Sequence, residues 1–584
     1  MPEKGKRILV VGGVAGGASC AARARRLSEA AEMIIFERGP FVSFANCGLP
    51  YYVGDVIPDE EDLLVAPPRL FRDRFNIEVR TRSEVVAIDR AAREIEVQDL
   101  VHGRRYRERY DALVLAPGAA PIRPPLPGID LPGIFTLRTI PDSRAMRDWI
   151  ASHRVRRSAI VGGGFIGLEM VENLARRGIE VSLLEMLPQV MPPLDPEMAT
   201  LVHRHLVRQG VSVYLSDPVV AFHAADGGLV VETESGRRHP AEMVVLAIGV
   251  RPEVALARQA GLEIGERGGI RVDGQMRTSD EHIWAVGDAV EVRDVITGQW
   301  VLLPLAGPAN RQGRVAADAI MGRDSRFRGV QGTAVCKVFD ITIALTGASE
   351  RALQRTGDFA YQKVYVYGLQ HAGYYPGATE VSLKLIYAVP DGRILGAQAV
   401  GRDGVEKRID VISMAVQKGG TVFDLEEAEL CYAPQFGSAR DVVNIAGMQA
   451  ANALRGDAPV ASPEEADRES SLVLDVRNDD EYAAGHITGA VHIPLDELRR
   501  RLGELPHGRD IITCCRVGHR SYYATRILRQ HGLGVRNLSG GYVLYRRWQA
   551  ALAPGGTSAP GGGCGAGDKS HTGRPACQQD NSSK

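Results

Sequence analysis

The chain has 584 residues, with ordinary apolar (45%) and charged (24%) fractions and a formal net charge of -1. That length exceeds a single core and calls for roughly three to five domains, while the near-neutral charge gives no electrostatic footprint for nucleic acid or a membrane surface. No apolar run reaches the roughly 20 residues that span a bilayer, and the charged start Met1–Arg7 leads into an apolar stretch broken at Gly12, which reads as a first strand and not a signal peptide.

Residues 7–37 spell strand, glycine turn, helix, strand. Arg7–Val11 is an apolar strand, Gly12–Gly17 the turn, Ala18–Leu27 an Ala/Arg-rich helix, and Met33–Phe36 a second strand closed by Glu37. A glycine turn that opens a helix aims backbone N–H groups and the positive helix end at a pyrophosphate. An acidic residue closing the second strand accepts a hydrogen bond from an adenosine ribose. Gly12 and Gly17 hold the outer positions, Val14 replaces the middle glycine, and Gly13 and Gly16 supply flexibility beside it. Further on, Leu113–Gly118 is a buried strand ending at Gly118.

The same grammar returns at 158–185. Gly162, Gly164 and Gly167 complete G-x-G-x-x-G between a strand and a helix, and Glu185 closes the next strand. Two such units predict two dinucleotide sites. A carboxylate at Glu185 favours a free 2′-hydroxyl and therefore NADH; NADPH is admitted if an arginine elsewhere receives the phosphate. Val245–Pro252 ends this unit through Gly249, and Ile283–Ala289 places Gly287-Asp288 at another strand end.

Residues 330–450 carry alternating strand patterns such as Val381-Ser382-Leu383-Lys384-Leu385. Residues 452–468 are polar and Ala/Pro-rich, as a linker would be. A compact segment of about 80 residues follows, near the lower limit of independent domain size. After Ala553, Gly, Ser and Pro dominate, and a disordered tail holding Cys564 and Cys577 is expected.

The eight cysteines show no disulfide-scaffold spacing. A reducing, cytoplasmic setting fits, where a cysteine inside a motif is catalytic or metal-binding more often than structural. Cys20, Cys336 and Cys431 read as core fillers. His486 and His519 lack companions at zinc spacing, so no metal site is expected.

Two segments carry a family resemblance. The run Ser43-Phe44-Ala45-Asn46-Cys47-Gly48-Leu49-Pro50-Tyr51-Tyr52, with the Gly118 and Gly287-Asp288 strand ends, resembles flavoprotein disulfide reductases. Within them it is similar to the single-cysteine branch of coenzyme A-disulfide reductases, persulfide reductases and NADH oxidases. The resemblance implies that the first glycine turn holds the FAD pyrophosphate, that Gly287-Asp288 meets its ribityl–phosphate region, and that Cys47 is the thiol beside the flavin. No second cysteine lies near Cys47 in the sequence. One cysteine cannot store two electrons as an internal disulfide, so it must cycle through a mixed disulfide, a persulfide or a sulfenic acid. A neighbouring helix N-terminus is expected to lower its pKa. Arg26, Ser43 and Asn46 match positions that touch coenzyme A or orient the cysteine. His371–Gly377 and Cys431–Pro434 match two tyrosine motifs of the dimerisation domain, which makes Tyr374 and Tyr432 candidates to reach the partner's cysteine in a homodimer and donate a proton to a leaving thiolate.

Leu474–Arg477, Glu481-Tyr482, Gly485–Ala490 and Gly540–Tyr542 resemble rhodanese domains, and Cys515-Arg516-Val517-Gly518-His519-Arg520 matches their Cys-x-x-Gly-x-Arg loop. Such a loop aims successive N–H groups at one point and stabilises a thiolate or a persulfide. Cys515 is the expected nucleophile, with Arg516 and Arg520 adding positive charge, and Cys514 belongs to the preceding strand.

The resulting expectation is an α/β chain with two Rossmann-like domains. FAD takes 1–150 and 286–328, NAD(P)H takes 151–285, an α+β dimerisation domain covers 329–451, a linker 452–468, a rhodanese domain 469–552 and the tail 553–584. The preferred activity is reduction of coenzyme A disulfide, coenzyme A persulfide or polysulfide, with coenzyme A as substrate or carrier. Two alternatives stay open: an NADH oxidase working through a cysteine sulfenic acid, and a sulfurtransferase or sulfur carrier whose flavin part regulates.

Overall fold

The computed structural model describes residues 5–552 apart from 469 and 507. The expected tail, with Cys564 and Cys577, lies outside the described residues.

The first unit is a five-stranded parallel sheet, in the order Ile283–Ala285, Ala112–Leu115, Arg7–Val11, Glu32–Glu37, Glu78–Thr81. The central strands are near-continuous apolar runs because helices cover both faces. Helices Gly16–Arg25 and Ala306–Ile320 pack together, and a Cβ at Gly313 would stand 2.3 Å from the Gly16 carbonyl. The second unit repeats the plan with Ser212–Tyr214, Glu180–Leu184, Arg157–Val161, Met243–Leu246 and Ile134–Phe135. Each unit also carries a three-stranded antiparallel meander, at Ser83–Arg109 in the first and Val219–Ala241 in the second. The units are stitched where Ala119–Pro121 pairs antiparallel with Val250–Pro252.

The third unit is an antiparallel sheet, in the order Ala334–Val338, Ile341–Gly347, Ile394–Gly401, Glu380–Ala388, Tyr361–Leu369. Its alternation at 381–385 marks a strand, yet both faces are covered: Lys384 is 0% exposed. The Lys384 ammonium sits 2.7 Å from Asp195, 2.6 Å from Glu197 and 2.5 Å from Glu350. A buried charge survives only when it is paired in this way.

The last unit is a parallel sheet, in the order Val460–Ala461, Val535–Leu538, Ile511–Cys514, Leu472–Asp475, Val491–His492. It docks on the reductase body. Tyr365 N–H donates to Ser539 Oγ (2.9 Å), and helix Gly541–Leu552 packs against Pro196–Arg208.

Three expectations are corrected. Val460–Ala461 pairs with Asn537-Leu538, so the last sheet begins inside the stretch read as linker, because two strand residues are too few to outweigh its polar composition. Ile134–Phe135 belongs to the second sheet and Ile283–Ala285 to the first, so both boundaries of the second unit lie earlier in the chain than 151 and 286. Cys431 is exposed, not a core filler, because its segment crosses the surface without helix or strand, whereas Cys20 and Cys336 are buried. Among the described residues, no helix is long and apolar enough to cross a membrane.

Candidate active site

One cavity of about 2460 Å³ runs between the first two units. The first glycine turn, Glu37 and Gly118 line it, as do Gly287, Asp288 and the second turn with Glu185 and Gly249. Arg26, Ser43, Asn46 and Cys47 open onto the same space.

The two turns are built alike. Gly12 and Gly162 have φ of +95° and +104°, and a Cβ there would stand 2.1 Å from the Ala116 carbonyl oxygen and 2.5 Å from that of Ala247. Only glycine fits that backbone and that approach. A Cβ at Gly17 or Gly167 would strike the carbonyl of Gly12 or Gly162, which explains the third glycine as a packing requirement of helix on strand. At Gly164 and Gly287 the added Cβ would meet no protein atom, though both line the cavity. The missing side chains there leave room for a ligand to approach the backbone, and a pyrophosphate fits that cradle.

Glu37 and Glu185 also behave as a pair. Glu37 accepts from Gly13 N–H (3.0 Å) and Gly39 N–H (2.9 Å). Glu185 accepts from Gly163 N–H (2.6 Å) and Leu187 N–H (2.8 Å). Each carboxylate is thus pinned to its own glycine turn, with lone pairs left for a ribose. Asp288 faces the cavity with its carboxyl pushed up by burial.

Cys47 sits in the 3₁₀ turn Asn46–Gly48, just before the short helix Leu49–Val53. Ser43, at φ +47°, donates its N–H to the Gly13 carbonyl (2.8 Å) and so ties this segment to the first turn. The six described cysteines are all free. The expected lowering of the Cys47 pKa is not what the chain produces. Partial burial pushes the thiol up, and the negative charges of Glu169 and Asp288 push it further, against the help of a backbone N–H. Burial first, and then two carboxylates from distant segments, outweigh that one backbone N–H.

Tyr374 and Tyr432 are brought together, phenol to phenol at 2.8 Å, and are 69% and 49% exposed. Neither lines the cavity that holds Cys47 in the same chain.

The second thiol lies elsewhere. Cys515 follows strand Ile511–Cys514 and is 1% exposed. Gly518, at φ +97°, caps helix His519–Gln530 and donates its N–H to Cys515 Sγ (3.2 Å). Ser521 Oγ lies 3.4 Å from that sulfur but 2.7 Å from Asn537 Oδ1. Its one proton goes to the amide, which leaves the oxygen free to accept from the thiol. Cys514 is buried, and burial holds it as a thiol. Arg516 is exposed. Arg520 does not point at the loop as a free cation, because it forms a bidentate pair with Glu481, both bonds at 2.7 Å. Arg477 is locked by Asp475 and by the carbonyls of Glu481 and Gly485, under the Tyr542 ring. The sequence reading missed Glu481 as the partner of Arg520, and it missed Glu169 altogether. A Glu beside a motif Arg is a readable hint for the first, but nothing local marks the second.

Comparison with known proteins now adds a family. The pyridine nucleotide-disulphide oxidoreductase model matches residues 6–313, its dimerisation-domain model 333–442, and the rhodanese-like domain model 462–547. The chain belongs to the pyridine nucleotide-disulphide oxidoreductase family and carries a rhodanese-like domain. That family implies FAD and NAD(P)H, which suits the two glycine cradles. A solved structure of reduced Bacillus anthracis CoADR-RHD is 48% identical, with a TM-score of 0.91 over 93% of this chain and 98% of that one. An NAD-dependent persulfide reductase from A. fulgidus is 37% identical, with a TM-score of 0.85 over 92% and 99%. A protein named NADH oxidase from Methanocaldococcus jannaschii is 36% identical over 76% of this chain and 98% of its own length.

Proposed function

We propose that this protein is an FAD-dependent NAD(P)H:disulfide oxidoreductase that reduces coenzyme A disulfide, coenzyme A persulfide or polysulfide through Cys47, with Cys515 handling sulfane sulfur. The observation that carries this reading is the single cavity lined by both glycine turns and by Cys47. The first turn with Glu37, Gly118, Gly287 and Asp288 holds FAD, and the second with Glu185 and Gly249 holds the nicotinamide nucleotide. The pinned carboxylate of Glu185 favours NADH. When bound, these cofactors supply the two electrons and the hydride chemistry.

The chain's own residues do the sulfur chemistry. The Cys47 thiolate attacks one sulfur of R–S–S–R, forming Cys47–S–S–R and releasing R–S⁻, which takes a proton to give R–SH. Two electrons then cleave the mixed disulfide and regenerate Cys47, so that R–S–S–R + NADH + H⁺ gives two R–SH and NAD⁺. Arg26, Ser43 and Asn46, which line the same cavity, position the carrier thiol. Tyr374 and Tyr432 are exposed, paired with each other and absent from their own chain's cavity, which supports a homodimer in which they serve the partner subunit's Cys47 as proton donors. At Cys515, the Gly518 N–H and the N-terminus of a 12-residue helix stabilise an electron-rich sulfur.

The test is Cys47→Ser with coenzyme A disulfide, coenzyme A persulfide and oxygen as competing acceptors for NADH electrons. Loss of disulfide and persulfide reduction is expected. Full retained activity overturns the proposal, and oxygen consumption that outpaces disulfide turnover in the unmodified protein favours the NADH oxidase reading.

A further inference from the structure

Asn537 has no part in the account above, yet it touches both groups that reach the Cys515 sulfur. It lies on strand Val535–Leu538, is 6% exposed, and is anchored by its backbone N–H to the Pro459 carbonyl (2.8 Å). Its Nδ2 donates to the Gly518 carbonyl (3.1 Å), and Gly518 in turn donates its N–H to Cys515 Sγ (3.2 Å). Because Nδ2 faces a carbonyl, Oδ1 is the end left for the Ser521 hydroxyl, which donates to it at 2.7 Å. Ser521 is wholly buried, with its carbonyl held by the Thr525 hydroxyl at 2.9 Å, and its Oγ lies 3.4 Å from Cys515 Sγ. Amide, hydroxyl, glycine and sulfur therefore form one closed ring of hydrogen bonds.

The ring has one proton to dispose of. While it rests on Asn537 Oδ1, the sulfur receives a single donor, the Gly518 N–H. An anionic sulfur competes for it, because a hydrogen bond to a charged acceptor is stronger than one to a neutral amide. Turning the hydroxyl about Cβ–Oγ moves the proton from amide to sulfur without breaking a covalent bond. The charged groups around the loop are engaged elsewhere. Arg520 pairs with Glu481, Arg477 with Asp475, and Arg536, on the neighbouring strand, with Asp510 and Glu465. His519 meets the Tyr523 phenol at 3.0 Å and feels Arg440 from the third unit. On helix Gly541–Leu552 the Tyr545 phenol is bonded to Asp467. Cys514 is a buried thiol, and Arg516 is exposed.

We propose that Asn537 is a positioning residue for Cys515: its amide oxygen parks the Ser521 hydroxyl proton while the sulfur is a thiol and yields it to the sulfur when that becomes a thiolate or a persulfide anion, while its amide nitrogen holds Gly518 in place. The inference rests on the reading of Cys515 as the thiol that handles sulfane sulfur. It adds to that reading a second donor to the anion and the residue that governs it.

The experiment is a pH titration of the Cys515 thiolate by its ultraviolet absorbance in the holoenzyme, taken as the difference between each variant and the same variant carrying Cys515→Ser, with circular dichroism reporting the fold. Ser521→Ala removes the second donor and is expected to raise the midpoint by about one pH unit. Ser521→Thr keeps the hydroxyl and leaves the midpoint near the original value. Asn537→Ala frees the Ser521 proton for the sulfur but also releases Gly518, so its effect is measured with Ser521 present and again in Ser521→Ala. The midpoint should move lower in the first case than in the second by about half a pH unit or more. Should Asn537→Ala lose the fold, Asn537→Asp, whose carboxylate holds the hydroxyl proton harder, should raise the midpoint more with Ser521 present than in Ser521→Ala. An unmoved or lowered midpoint in Ser521→Ala overturns the proposal, and so does an Asn537 effect that is the same in both backgrounds, which is what a purely structural amide would give. The titration needs no turnover, so it stands apart from a sulfur-transfer assay of Cys515→Ser, whose failure would instead remove the reading of that thiol.

Discussion

Cys47 and Cys515 both stand in a tight turn leading into a helix, yet the chain treats their sulfurs in opposite ways. Around Cys515 the backbone does the work: it is 1% exposed, a Gly518 N–H points at its sulfur from 3.2 Å, and a 12-residue helix starts behind it. Around Cys47 the helix has five residues, the sulfur opens onto a large cavity, and the charges that reach it are carboxylates. The difference is that Cys515 is enclosed by its own loop, whereas Cys47 faces a cavity and carboxylates from distant segments.

The largest effects come from breaking the comparison outright. Cys47→Ser should lower NADH-driven disulfide reduction by at least about 10³-fold and leave thiosulfate or persulfide transfer intact. Cys515→Ser should do the reverse. Steady-state assays of both activities on both variants decide the matter. If either substitution removes both activities, the thiols act in one obligatory chain and the contrast fails.

A smaller effect sharpens the contrast from the cofactor side. Gly162→Ala forces a side chain into φ +104° with its Cβ 2.5 Å from the Ala247 carbonyl oxygen. Strain of about 1–3 kcal/mol at that turn corresponds to roughly 5- to 150-fold in kcat/KM for NADH. Sulfur transfer at Cys515 should not change, since the last sheet shares no strand with the second unit. Loss of sulfur transfer in this variant, with flavin retained, would mean that the nucleotide state reaches the rhodanese-like domain.

Much of this arrangement is legible in the sequence. Gly162, Gly164 and Gly167 could be read because turn sterics are local, and Cys47 and Cys515 because each lies in a short run whose neighbours serve the same sulfur. What escaped depends on contacts between distant segments. Glu169 comes to line the same cavity as Cys47 only when the second unit packs beside the first. Lys384 looks like one polar position of an alternating strand, and its burial follows from Asp195, Glu197 and Glu350, which come from elsewhere in the chain. Val460–Ala461 becomes a strand because Val535–Leu538 offers an edge, not because its composition asks for one. Cys431 has the apolar character of a core residue and lies outside because its segment runs over the surface.

The smallest expected effect concerns Arg520, which the motif presents as a cation for the loop and the structure presents as half of an ion pair. Its two bonds to Glu481 are both 2.7 Å, and the side chains are 30% and 26% exposed. Burial works to raise the Glu481 carboxyl, but hydrogen bonds from Arg520 and the Asn478 backbone hold it below its ordinary range. Arg520 also lies close enough for the Cys515 charge to act on it. Arg520→Ala therefore does two things at once: it withdraws a positive charge from the loop and strands a partly buried carboxylate beside a sulfur that must become anionic. Sulfur transfer should fall by about tenfold, in keeping with one bidentate charge-assisted pair. Adding Glu481→Gln removes the stranded charge, and the double variant should recover most of that loss in a thiosulfate transfer assay, with disulfide reduction at Cys47 unmoved throughout. If the double variant transfers sulfur no faster than Arg520→Ala, the guanidinium acts on the sulfur directly, and the carrier thiol is prepared by a side-chain cation as well as by its backbone.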